Sequence, residues 1–298
     1  MEPPVRYRNH LVDSARWDGI PLRDGDLIIA TPAKCGTTWL QLICGLLIFQ
    51  TPELPQPLDA LSPWIDLMTR RPDDLRAALA AQPHRRVLKS HTPLDGLPFD
   101  PRVTYLCLGR DPRDVGISLD NHLANMNLEA FLALREAATG ETVAPADVLP
   151  EPADTARGRF FQWADGDDIV VSLAAMLHHL TTFWERRQEP NVLLLHYDQL
   201  RTDLAGQMRQ LAGRLGLTIE DGRWPELVRA ATFEAMRERS RELVPVGPIW
   251  HDPARFFHRG TSGQWRDLLD DDDLRRYRAR VDELVDPALA AWLHHGPI

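Results

Sequence analysis

The chain has 298 residues, 44% of them hydrophobic and 26% charged, a balance that excludes disordered, collagen-like and coiled-coil classes and suits one or two globular domains. Its 34 Lys and Arg against 43 Asp and Glu leave a formal charge of −9, which argues against a general binder of nucleic acid or anionic membrane and still allows a local basic site. Cys35, Cys44 and Cys107 are the only cysteines and none is spaced as CxxC, so neither a disulfide framework nor a structural zinc site is expected, and a reducing, cytoplasmic setting is. The opening MEPPVRYRNH has no apolar leader core, and no apolar run reaches the roughly 18 residues that span a bilayer.

In chain order, short apolar runs alternate with longer helical patterns. DLIIAT (Asp26 to Thr31), RVLKSH (Arg86 to His91), VTYLCLG (Val103 to Gly109) and NVLLLHY (Asn191 to Tyr197) are apolar through the middle, as strands buried on both faces must be. Thr37 to Phe49, Pro112 to Asn127, Ile169 to Arg187 and Asp203 to Leu215 carry apolar residues at three- and four-residue spacing and predict helices. The alternation predicts an α/β fold, a parallel sheet flanked by helices, in a single domain over residues 1–298. Between Thr139 and Asp168, Pro145, Pro150 and Pro152 interrupt any helix, which predicts either a solvated loop or a lid at the strand ends. The Pro-, Gly- and aromatic-rich stretch from Arg241 to Arg266 reads as ordered coil packed on the sheet.

Four segments carry chemistry. TPAKCGTTWLQ (Thr31 to Gln41) follows the first strand, and a tight turn at Gly36 that opens a helix would aim free N–H groups at one spot. With Lys34, Thr37 and Thr38 it would hold a phosphate or sulfate, although its spacing is not that of the Walker loop. The bland alternative is a helix cap with a surface lysine. In LKSHTPLDGLP (Leu88 to Pro98), Lys89 and His91 lie two apart and share one face of an extended strand; a general base beside a cation results, unless His91 is only a structural strand-end residue. LGRDPRDVGISLDNH (Leu108 to His122) sets Arg110 before a helix and Ser118 two turns into it, a grip for a dianionic phosphate or else a capped surface helix. FFHRGTSGQWRD (Phe256 to Asp267) sets Arg259 before Gly260 and Gly263, where a backbone could approach a ligand closely or simply turn.

Taken together, TPAKCGTTW, VLKSHTP, RDPRDVGIS, VLLLHYDQL and HRGTSGQW resemble, in order and rough spacing from about Asp26 to Trp265, the cytosolic type of sulfotransferase that uses 3′-phosphoadenosine 5′-phosphosulfate (PAPS). The resemblance implies a P-loop-like sulfotransferase fold, PAPS as donor, the 3′,5′-bisphosphate PAP as product, no metal, and a hydroxyl-bearing small-molecule acceptor. It implies that Lys34, Cys35, Gly36, Thr37 and Thr38 grip the 5′-phosphosulfate and that Trp39 stacks on adenine. It further implies that Arg110 and Ser118 hold the 3′-phosphate with Arg259 and Gly260, that Tyr197, Thr232 and Phe233 border the purine, and that His91 is the base with Lys89 beside it. Lys34 and Lys89 would offset charge on the bridging oxygen and the moving sulfuryl group.

Three departures from the family pattern matter. His258-Arg259-Gly260 stands where the family usually has Arg-Lys-Gly, so that one contact to the 3′-phosphate would be weaker or made by a protonated His258. Cys35 replaces a frequent Ser and sets a thiol at a helix N-terminus, where its pKa would fall. The family's C-terminal dimer segment is not recognisable after Trp265, and the oligomeric state stays open. Phe49, Trp64, Phe131, Phe160, Phe161, Trp163, Trp184 and Trp250 lie outside the donor motifs; some would line an apolar acceptor pocket under a lid formed by 139–168, and most would pack the core. A phosphotransferase with an anion loop, or a nucleotide-binding module without catalysis, are the rival readings.

Overall fold

A computed structural model of the chain describes residues 3–167, 171–244 and 247–296. Its frame is four parallel strands in the order β2-β1-β3-β4, formed by Leu27–Ala30 (β1), Val87–Ser90 (β2), Thr104–Gly109 (β3) and Val192–His196 (β4). Parallel strands need crossovers, and here the crossovers carry helices to both faces, so alternate strand residues enter two separate cores. Leu27, Ile29, Leu106 and Leu108 face a cluster built on α1 (Thr37–Phe49) and the helix Leu204–Arg214. Ile28, Ala30, Tyr105 and Cys107 face the other, which contains Val115 and Leu119 of α2 (Pro112–Asn125) and the apolar faces of the helices described next.

At the edge of the sheet the backbone of β2 is not left bare. Lys89 donates its N–H to the Pro63 carbonyl at 3.0 Å and accepts from the Ile65 N–H at 2.9 Å, so the segment around Trp64 lies against that strand. At the foot of the sheet Arg86 and Asp26 form an ion pair that is 1% and 2% exposed, with Arg86 Nε 2.9 Å from the carboxylate and Nη2 2.8 Å from the Pro21 carbonyl.

After α3 (Leu128–Thr139) the chain departs from the expected loop. Residues Pro145–Val148 form a helical turn, and Ala156–Asp165 form a full helix, α4, whose Phe160, Phe161 and Trp163 are buried in the core. Pro145 opens its turn at a position where a missing N–H costs nothing, and Thr155 caps α4 by accepting from the Gly158 N–H. The prolines therefore punctuate helices here and do not abolish them. Of the helix expected over Ile169 to Arg187, Leu173–Glu185 (α5) is helical, while Ile169, like the Asp168 end of the lid segment, lies outside the described residues. The fourth strand stops at His196, and Tyr197 opens the helix Tyr197–Thr202. Among the described residues no helix is long and apolar enough to cross a membrane.

Candidate active site

β1 and β3 are neighbours whose crossovers run to opposite sides, and the crevice beyond their carboxyl ends is where α/β sheets take ligands. Here it opens into a cavity of about 850 Å3. Of the residues expected in the site, Lys34, Gly36, Thr37, Thr38, Trp39, Lys89, His91, Arg110, Ser118, Tyr197, Thr232, Phe233, His258, Arg259 and Gly260 all line this one cavity. Cys35 does not: its side chain is fully buried in the core that also holds Cys107. Burial pushes the Cys35 thiol up to about 12, with Arg110 and Lys34 only partly opposing it. The expected fall in its pKa is thus reversed, because desolvation of a thiolate outweighs the helix end.

The loop from Thr31 to Gly36 is shaped by two residues in the left-handed region, Lys34 at φ 66° and Gly36 at φ 105°. Gly36 is the N-cap of α1 and offers no side-chain acceptor, so the first-turn N–H groups of a 13-residue helix are left without a side-chain cap at the cavity wall. A Cβ on Gly36 would lie 2.8 Å from Leu108 and 3.1 Å from the Tyr197 ring, so only glycine lets the turn sit this close to β3. Arg110 leaves β3, stacks its guanidinium 4.3 Å over the Tyr197 ring, and donates to the Lys34 carbonyl at 3.1 Å and the Thr261 carbonyl at 3.2 Å. Its buried Nε has no hydrogen-bond partner.

Opposite, the segment 258–264 is tied down by two carboxylates. Asp114 on α2 accepts from the Gly263 N–H at 2.7 Å and the Gln264 N–H at 2.9 Å, and Asp198 accepts from the Ser262 hydroxyl at 2.6 Å. Gly260, at φ 65°, passes so close to Phe233 that a Cβ would stand 2.4 Å from the ring. His258 is exposed, and desolvation together with Arg259, Arg255 and Arg237 lowers its pKa. Desolvation first and then these arginines oppose a charge on His258 as long as no anion lies beside it.

The catalytic candidates meet at the centre. His91 hydrogen-bonds through Nδ1 to the Thr31 carbonyl at 2.5 Å, and its ring stands edge-on to Trp64 at 4.5 Å. A carbonyl can only accept, so Nδ1 carries the proton and Nε2 keeps its lone pair. Burial first, then Lys89, hold the His91 pKa well below its ordinary value, so the ring is neutral at pH 7. Burial also lowers Lys34 to about 7, with Arg110 and Lys89 adding repulsion, and lowers Lys89 to about 8 against the pull of Asp66. Two desolvated lysines with lowered pKa values beside a neutral imidazole are a poor arrangement for stability, and such clusters mark functional sites.

Several residues that complete this site carry no expectation from the sequence. Asp66, fully buried, accepts from the Ser90 hydroxyl at 2.7 Å, from the Thr92 hydroxyl and from the His91 N–H at 3.3 Å, which fixes the turn that presents His91. Nothing in the WIDLM run signals this. His122 brings Nδ1 to 3.1 Å from Lys34 Nζ; its signal was available, since it lies four residues beyond Ser118 and so on the same helix face. Tyr7 bonds Asp95 at 2.9 Å and His178 at 2.8 Å at the rim. Of the aromatic residues outside the motifs, Trp64, Phe131, Trp163 and Trp250 line the cavity, while Phe160 and Phe161 pack the core as expected for most.

Residues 24–288 match the sulfotransferase domain family, and the chain belongs to it. Glycolipid sulfotransferases of Mycobacterium bovis and Mycobacterium tuberculosis are each 41% identical to it, covering 99% of this chain and 96% of theirs. Human sulfotransferase 2A1 is 24% identical over 89% of this chain and 85% of its own. Mouse sulfotransferase SULT7A1 complexed with PAP superposes with a TM-score of 0.69 at 17% identity, covering 94% of this chain and 90% of that one. Retinol dehydratase in complex with androsterone and inactive cofactor PAP gives 0.68 at 20% identity, over 93% and 87%. The kinase and non-catalytic readings fall with the family assignment: the protein is a sulfotransferase enzyme with the P-loop-like sulfotransferase fold.

Proposed function

We propose that the enzyme moves a sulfuryl group from PAPS to a hydroxyl of an amphipathic acceptor, a glycolipid being the best-supported class, with His91 as general base. The observation that carries this is the contact of His91 Nδ1 with the Thr31 carbonyl: a carbonyl only accepts, so Nδ1 is committed as donor and Nε2 is the atom left to take a proton inside the cavity. The residues fit the donor. The uncapped start of α1, the unpartnered Nε of Arg110 and the side-chain-free backbone at Gly260 are what a nucleotide with phosphate at both its 5′ and 3′ positions would use. Lys34, Gly36, Thr37 and Thr38 would hold its 5′ end, Arg110, Ser118, Arg259 and Gly260 its 3′-phosphate, and Trp39, Tyr197, Thr232 and Phe233 its purine. When bound, the donor supplies the sulfuryl group, the new O–S bond forming as the bridging S–O bond breaks and its electron pair leaves on the 5′-phosphate.

The chain's own residues do the rest. His91 Nε2 takes the acceptor proton, and Lys34 and Lys89 offset charge as it grows on the bridging oxygen and the sulfuryl oxygens. On the acceptor side the cavity wall turns apolar, with Leu11, Leu67, Leu123, Met126, Phe131 and Ile249, while Tyr7 and His178 mark a polar rim. An apolar chamber behind a hydrogen-bonding rim suits a lipid bearing a sugar, in keeping with the names of the mycobacterial relatives. Leu149 also lines the cavity, and we retain the lid reading for this part of the 139–168 segment. The test is His91→Ala, assayed with labelled PAPS and a panel of glycolipids, sterols and phenols, alongside calorimetric PAP binding. Turnover should fall at least about 1,000-fold with PAP affinity kept, the upper part of the range for a lost general base and within it; unchanged turnover removes His91 from the role.

A further inference from the structure

His122 has no part in the reaction as described so far, yet it touches the group nearest the chemistry. Its ring sits between Trp250, 4.8 Å away between centroids, and Phe256, 5.7 Å away, with Nδ1 3.1 Å from Lys34 Nζ. An ammonium can only donate, so when Lys34 is charged Nδ1 accepts and Nε2 carries the proton, the opposite tautomer to that of His91. Lys34 itself meets no carboxylate within ion-pair distance among the described residues, and its Nζ also lies 4.9 Å from the Phe256 ring centroid.

Two other buried histidines are partnered differently. His179 and His196 each bond a backbone carbonyl through Nε2, at 3.2 Å from Ala30 and 3.2 Å from Leu293. His122 instead meets a cation, and burial together with Lys34, Lys89 and His91 holds its own pKa well below the ordinary value. It is thus kept in the neutral form, the one form that can accept from Lys34. A site gains no stability from crowding a desolvated lysine against an imidazole, whereas a reaction gains from holding that lysine still: a misplacement of about 1 Å at a reacting group costs up to roughly 100-fold in rate.

We propose that His122 is a positioning residue for sulfuryl transfer, which holds the Lys34 ammonium by accepting its hydrogen bond and so delivers it to the bridging oxygen. The proposal rests on the reading of Lys34 as the group that offsets charge there. It differs from a packing role in what it asks of the side chain: an acceptor atom at this point, not a ring.

Two substitutions separate those demands. His122→Phe keeps a ring and removes the acceptor; His122→Gln removes the ring and supplies an amide oxygen. The expected result is a fall in kcat of about tenfold for His122→Phe, with the KM values for PAPS and acceptor within about twofold, and kcat within about threefold of the parent for His122→Gln. PAP binding by calorimetry identifies folded, donor-competent protein for both. The reverse order, Phe tolerated and Gln impaired, overturns the proposal, as does a change confined to the acceptor KM, which would make His122 an acceptor contact. Lys34→Met is measured in parallel. If it keeps full kcat, the reading of Lys34 fails and the proposal with it; if it is impaired while His122→Phe is not, the proposal alone fails.

Discussion

The two lysines with lowered pKa values make donor binding a proton-coupled event whose size follows from the structure. At pH 8 a Lys34 that titrates near 7 is about nine-tenths neutral in the empty enzyme, and a Lys89 that titrates near 8 is about half neutral. With the donor bound as proposed, a 5′-phosphate close to the two amines would favour their charged forms, so both should regain their protons in the complex. PAP, whose phosphates have second pKa values of about 6 and are already dianionic, brings few of its own to lose. Binding at pH 8 should therefore take up about 0.9 of a proton at Lys34 and about 0.5 at Lys89. The sign follows: affinity is greatest where the free lysines are already charged and weakens as pH rises through 7 and then 8, by about tenfold between pH 7 and pH 8. Titration calorimetry with PAP in two buffers of different ionisation enthalpy reads the uptake directly. Lys34→Met should lower it to the Lys89 share of about half a proton. Zero uptake at pH 8, or the same uptake with and without Lys34, would refute the claim that burial has lowered these amines.

Arg86→Met strands the buried Asp26 carboxylate and should cost about 3–5 kcal/mol in urea unfolding, with part regained on adding Asp26→Asn; a loss below about 1 kcal/mol would mean the pair is solvated. Gly260→Ala must both strain a φ of 65° and push Phe233 aside, and left-handed strain of about 1–2 kcal/mol should appear as a melting temperature lowered by a few degrees together with roughly a tenfold weaker PAP affinity. The three cysteines are buried, with Cys35 and Cys44 raised to about 12 and Cys107 well above its ordinary value. Ellman's reagent at pH 8 should accordingly react with the native enzyme only as fast as it unfolds, and a rapidly labelled thiol would contradict their placement.

The strands were legible because a strand covered on both faces must be apolar at every position, and few other segments of this chain are. The anion loop was legible for a related reason: a strand, a glycine and a helix start in succession leave little choice about where N–H groups point. The stretch around α4 was misread because proline disrupts a helix interior but not a first turn, and composition does not distinguish the two. Cys35 was misread because its distance from a helix end is visible in sequence while the direction of its side chain, inward between sheet and helix, is not. The features that fix His91 were out of reach altogether: its tautomer depends on a backbone carbonyl of Thr31, and its turn depends on Asp66, a carboxylate 25 positions upstream brought in by the packing of an edge segment.

The double grip of Asp114 on Gly263 and Gln264 divides the cavity wall into parts of unequal permanence. The side proposed to face the nucleotide is built mainly from strand ends and helix starts, with segment 258–264 tied to them through Asp114 and Asp198. The remaining wall is drawn from the N-terminal segment, the edge segment around Leu67, the far end of α2, α3, α5 and the stretch before Phe256, none of which contributes a strand. On the donor placement proposed above, a fold partitioned like this can be refitted for a new acceptor by exchanging its lining, without recasting the frame.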